Sequence, residues 1–248
     1  MTAPFAASLA LLMIFTALLS GIFGMAGGLI LIGVLLVVMP LPQAMVLHAV
    51  TQMASNGWRA ILWRRHIDWK IAAASIVGSV MSVGLWSVWL WVPDKAIALL
   101  LLGLSPFVVR AIPESVMPKV LGVGQMVVGS AICMMLMLVA GVTGPLLDTL
   151  FLRSTLERRR IVATKAACQL FSHGLKLIYF GALIEQAGTV SVWFLAVAVA
   201  ASMLGTSLGK LLLEKLTDGQ FRRWSNRLIT AMASYYIGYS LALMAGLA

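Results

Sequence analysis

Two sets of polar residues share one helical spacing in a chain that is otherwise mostly apolar. His48, Gln52, Ser55 and Arg59 fall at i, i+4, i+7 and i+11. Lys165, Gln169, Ser172 and Lys176 repeat that spacing, with Asn56 and His173 beside them. On a helix each set lines one face. Gln, Ser and Asn supply neutral donors suited to an oxyanion. Gln52 and Gln169 can instead hydrogen-bond between helices. Arg59 lies near one end of its segment and Lys176 near the other end of its own, where long cationic side chains snorkel toward headgroups. Arg59 and Lys165 can add longer-range attraction for an anion. His48 and His173 can titrate near neutral pH.

These residues sit in a chain built for lipid. Of 248 residues, 61% are hydrophobic and 10% charged, and the mean hydropathy is +1.01. Several apolar runs approach the roughly 20 residues that span a bilayer. Every span is expected to be helical, because unpaired backbone is not tolerated in hydrocarbon. The segments read as 5–22, a short 28–39, 43–63, 71–92 and 95–111, then 119–140, a short 145–153, 160–181, 189–211 and 222–246. Trp63, Trp69, Trp86, Trp89 and Trp91 near span ends fit an interfacial belt. The first run lacks a basic leading region and is too long for a signal peptide.

The chain also repeats itself. Gly24, Gly27, Gln52, Ser55 and Gly57 recur 117 residues later as Gly141, Gly144, Gln169, Ser172 and Gly174. Between 24 and 68 the alignment needs no gap, and 10 of the 45 positions are identical. Such self-similarity marks duplicated architecture, here residues 1–112 and 113–248. The basic residues identify how the copies are oriented. Thirteen of the 18 Lys and Arg fall at 64–70, 110–119, 153–160 and 210–223. The basic stretch 64–70 corresponds to 181–187, which has no Lys or Arg, and 153–160 corresponds to 36–43, which has no charge. Basic loops face the cytoplasm, so the copies have opposite orientation. The expected fold is an all-α integral membrane protein with two inverted-topology repeats, both termini outside.

Segments 28–39 and 145–153 are too short to cross a core of about 30 Å at 1.5 Å per residue. Each is expected to be a half-membrane helix or one arm of a re-entrant hairpin. Gly27–Gly28 and Gly144–Pro145 stand where these helices start. Their free N–H groups and positive dipole ends would form an anion site at midplane, and the glycines alternatively serve close helix packing. Asp148 is an acid within a predicted membrane segment. It can pair with Lys165 or with Arg158, Arg159 and Arg160, or carry a proton.

No nucleophile–base motif, phosphate loop or metal-ligand spacing is present, so the chain reads as a non-enzyme without metal or cofactor. Cys133 and Cys168 read as small apolar filler. The net charge of +10 belongs to cytoplasmic loops and not to a nucleic-acid surface. The run GIFGMAGGLILIGVLLVVMPLPQAMVLHAVTQMASNGWRAILWRRHIDW, from Gly21 to Trp69, resembles the TauE/SafE sulfite exporter family. It shares a Gly-rich turn, a short apolar segment ending in Pro, an Ala-rich span and a basic–Ile–Asp exit. The likeness continues through Gly205 and Gly209 to the basic loop before the last span. The resemblance implies transport of sulfite, organosulfonates or related sulfur-containing anions across a bacterial cytoplasmic membrane. An uncoupled anion channel on the same scaffold is the alternative. The expected partners are a small anion and the lipid bilayer, with homodimerisation left open.

Overall fold

The computed structural model describes residues 3–23, 26–88, 94–113, 122–141, 146–147, 150–151, 154, 156, 158–183, 191–213 and 217–247. Their regular structure is helical throughout, without strands. The helices are α1 (Ala3–Phe23), α2 (Ala26–Val38), α3 (Leu41–Leu62), α4 (Trp69–Ser87), α5 (Lys95–Ala111), α6 (Val123–Ala140), α7 (Arg158–Ile178), α8 (Val192–Leu213) and α9 (Asp218–Met244). A π turn, Tyr179–Leu183, extends α7. Helices α1, α4, α6 and α8 are long and apolar enough to cross a membrane. The chain is therefore a multi-pass helical membrane protein. Helix α2 has only 13 residues, about 20 Å of length against a core of about 30 Å. Of the second short segment, Leu146, Leu147, Leu150 and Phe151 are described; Gly144, Pro145 and Asp148 lie outside the described residues.

Local chemistry sets the helix ends. Asp68 caps α4 by accepting from the Ile71 N–H at 3.2 Å, and Asp94 does the same for α5 at Ile97, 2.8 Å. Thr217 and Gln220 form a capping box at the start of α9. Pro106 lies inside α5 and cannot donate to the Leu102 carbonyl. The Ser105 hydroxyl takes that acceptor at 2.9 Å. Helix α6 stops at Gly141, whose φ of 82° is left-handed.

The four most extensive pairings are α1 with α8, α4 with α6, α3 with α7, and α5 with α9. Each joins a helix before residue 112 to one after it. Exchanging α1 for α6, α3 for α7, α4 for α8 and α5 for α9 returns the same four pairings. Small residues permit the closest approaches. A Cβ on Gly205 would collide with the Ile14 carbonyl, and one on Gly78 with the Val127 carbonyl.

The basic stretches gather toward one end. Arg160 Nη2 lies 3.9 Å from Asp68 Oδ2, and the Asp68 N–H donates to Thr164 Oγ1 at 2.8 Å. Lys210 Nζ stands 5.8 Å from the Trp63 ring centroid. Arg110 reaches the first half of α9, donating to Thr230 Oγ1 at 2.8 Å. Loops 64–70 and 158–160 therefore share a side of the molecule, as the charge pattern anticipates.

Candidate functional site

Helices α3 and α7 carry the two polar sets and pack against each other. Gly57 lies against Leu170, its Cβ position 3.3 Å from a Leu170 methyl, and Gly174 lies 3.7 Å from the Met53 methyl. Numbers rise along one helix as they fall along the other, so the helices are antiparallel. Adding 117 to Gly57 and subtracting it from Leu170 gives Gly174 and Met53. The two contacts are thus counterparts.

The polar residues of both helices are turned inward. His48, Gln52, Ser55, Asn56 and Arg59 on α3, and Gln169, Ser172, His173 and Lys176 on α7, are all buried. Lys165 is half-buried. Burial of this many polar groups among apolar helices demands partners. Ser55 and Thr206 share a hydrogen bond of 2.7 Å between their hydroxyls. Ser172 and Ser79 stand 3.4 Å apart in the same relation. The Asn56 amide donates to the Gln52 carbonyl at 3.0 Å, and Arg59 Nη1 reaches Asn56 Oδ1 at 3.4 Å.

The start of α2 meets the middle of α3. A Cβ on Gly28 would lie 3.1 Å from Gln52 Oε1 and 3.5 Å from its Nε2, so the carboxamide rests on the bare glycine backbone. His48 Nε2 donates to the Gly28 carbonyl at 3.0 Å. Gly27 packs so closely on α1 that a Cβ would collide with the Thr16 carbonyl and stand 2.5 Å from Ser20 Oγ. Gly28, His48 and Gln52 therefore form one group.

Lys176 is not at the surface. It is fully buried, and Nζ bonds His48 Nδ1 at 2.9 Å and the Gly141 carbonyl at 3.0 Å. The left-handed turn at Gly141 ends α6 and leaves that carbonyl outside the helix ladder. The His173 ring meets His48 edge-on, with centroids 5.3 Å apart. His173 Nδ1 and Ser20 Oγ are buried without a hydrogen-bond partner among the described residues.

Ser20, Ser79 and Thr206 are polar residues at this centre that the sequence reading passed over. Their signal is visible in the chain. Ser75, Ser79 and Ser82 fall at i, i+4 and i+7 on α4, and Ser202 and Thr206 on α8 match Ser75 and Ser79 at an offset of 127. With that offset, the Ser79–Ser172 contact becomes Thr206–Ser55. The offset grows from 117 to 127 between α7 and α8, which hides the match from a single fixed period.

Residues 9–236 match the family described as Sulfite exporter TauE/SafE. A membrane transporter is the class that the helical bundle and this match define together. The chain belongs to the TauE/SafE sulfite exporter family. No curated protein and no solved structure matches it.

Proposed function

We infer that this protein moves small sulfur-containing oxyanions, such as sulfite or an organosulfonate, across a bacterial cytoplasmic membrane by alternating access. Two inverted repeats, 1–112 and 113–248, form the carrier, with both termini outside. The exchange of helix pairings between the halves, the antiparallel α3–α7 packing and the paired Gly57 and Gly174 contacts support that architecture. A repeat interface is where such carriers bind their substrates.

The observation that carries the reading is the apposition of Gly28 and Gln52. It sets the N-terminal turn of a 13-residue helix against a neutral amide at the middle of α3. Backbone N–H groups near Gly27–Gly28, and near Gly144–Pro145 in the second copy, supply the anion's first contacts. Gln52, Ser55, Gln169 and Ser172 supply side-chain donors, with Asn56 and His173 next. His173 adds a buried nitrogen with unused bonding capacity. His48, Arg59, Lys165 and Lys176, with Asp148, set the local field and the coupling. Neutral donors hold an anion without trapping it, which release on the far side requires.

Flux measured in proteoliposomes with sulfite, thiosulfate, sulfate and sulfoacetate tests this. Transport of the sulfur anions is expected, with sulfite or a sulfonate preferred. Absence of flux for all four would overturn the reading.

A further inference from the structure

We propose that the His48–Lys176 bridge is a proton-binding site, with His48 Nδ1 as acceptor, and that a proton bound there promotes binding of the anion beside it. The inference rests on the anion site proposed above and adds its co-substrate.

Hydrogen-bond polarity makes the assignment. A carbonyl only accepts, so His48 Nε2 carries the proton that reaches Gly28. The neutral ring then has its lone pair on Nδ1, and that atom accepts from Lys176 Nζ. A second Lys176 proton goes to the Gly141 carbonyl. One side chain thus ties the turn after α6 to the start of α2 through the ring of His48. A proton arriving at Nδ1 ends this arrangement. With Lys176 as the ammonium, imidazolium donates from both nitrogens and the ammonium has no lone pair, so neither facing atom can accept. The bridge opens, and two N–H donors bearing positive charge are released next to Gly28 and Gln52. An entering anion satisfies both and balances the added proton.

The surroundings support this site. On α3, Thr51 Oγ1 donates to the His48 carbonyl at 2.8 Å, and Gln52 lies against Gly28. On α7, His173 stands edge-on to His48, and Tyr179 follows Lys176 by about one turn and is fully buried. Helices α2 and α6 contribute the Gly28 and Gly141 carbonyls. On α9, Tyr236 donates to the carbonyls of Leu29 and Ile30 at 3.1 and 3.3 Å. The two carboxylates with described side chains, Asp68 and Asp94, are engaged at the starts of α4 and α5. Among the described residues, therefore, no carboxylate is shown beside the bridge to neutralise a second positive charge. Asp148 lies outside the described residues.

The test is calorimetric titration of the purified full chain with ethanesulfonate, thiosulfate and sulfate, anions whose charge is constant from about pH 6 to 8. Buffers of different ionisation enthalpy count the protons taken up per anion. The count is expected to approach one within this range. In His48→Gln the amide can still donate to Gly28 and accept from Lys176 but cannot titrate, so weaker binding without proton uptake is expected. His48→Asn is the second variant if His48→Gln does not yield folded protein. Binding with no uptake by the wild type, or with uptake unchanged in the variant, overturns the proton site and leaves the anion site standing. Failure of the wild type to bind any of the three overturns the anion site, and this inference with it.

Discussion

The hydroxyl of Thr206 stands 2.7 Å from that of Ser55. Thr206 lies on α8 and Ser55 on α3, one after and one before residue 112. Their counterparts, Ser79 and Ser172, stand 3.4 Å apart. The shorter bond should be the stronger. A double-mutant cycle of Ser55→Ala and Thr206→Val, read by thermal unfolding in detergent, should give a coupling of about 0.5–1.5 kcal/mol. The cycle of Ser79→Ala with Ser172→Ala should give less. Equal coupling would contradict the ranking by length, and none in either pair would show that these bonds do not hold the helices together.

Close packing gives a second expectation. Gly205→Ala would drive a methyl into the Ile14 carbonyl and to within 2.9 Å of the Ala17 Cβ, and Gly78→Ala would collide with the Val127 carbonyl. Each should cost about 1–3 kcal/mol, the usual range for overpacking. At Gly84 and Gly238 a Cβ meets nothing within 4 Å, so alanine there should leave the unfolding temperature near that of the parent. Equal tolerance at all four positions would contradict the helix contacts described.

The exposed ion pair should matter little. Asp68→Asn removes the charge facing Arg160, whose side chain is 51% exposed, but keeps a residue able to cap α4. Its cost should stay under about 1 kcal/mol. Asp68→Ala also loses the cap and should cost about 1 kcal/mol more. Unfolding temperatures of the two variants decide this, and equal loss in both would assign the effect to charge.

Orientation is open to chemical labelling. Single cysteines at 66 and 158, in a background lacking Cys133 and Cys168, should resist a membrane-impermeant thiol reagent applied from outside. A cysteine at 247 should react. Labelling at 66 or 158 in intact cells would reverse the orientation drawn from the basic loops.

Much of this centre was legible in the chain. The i, i+4, i+7, i+11 spacing brought His48, Gln52, Ser55 and Arg59 to one face, and all four are buried. The short helix expected at 28–39 is α2, Ala26–Val38. Lys176 was less legible. Its position suggested a headgroup contact, but its two acceptors come from elsewhere in the fold: the Gly141 carbonyl, freed by a left-handed turn, and a ring nitrogen 128 residues away. No local pattern encodes that meeting. The Ser79 and Thr206 pairs were hidden for a different reason, because the offset between copies changes from 117 to 127 between α7 and α8.

The proposed donors make a quantitative prediction. Loss of a hydrogen bond to a charged group costs about 1.5–3 kcal/mol. Gln52→Ala and Gln169→Ala should therefore weaken anion binding about 10- to 150-fold while the unfolding temperature stays close to that of the parent. If both variants bind like the parent, the polar faces of α3 and α7 are packing and the site lies elsewhere.

Trans-stimulation separates carriage of a sulfur oxyanion by alternating access from conduction through a channel. Proteoliposomes containing the full chain are preloaded with unlabelled sulfite, and entry of radiolabelled sulfite is followed at increasing external concentration. Saturable entry is expected, accelerated by preloading and slowed by organosulfonate in the same outside solution. Entry that rises linearly with concentration and is indifferent to preloading would contradict it, and would assign the protein to the anion channels instead.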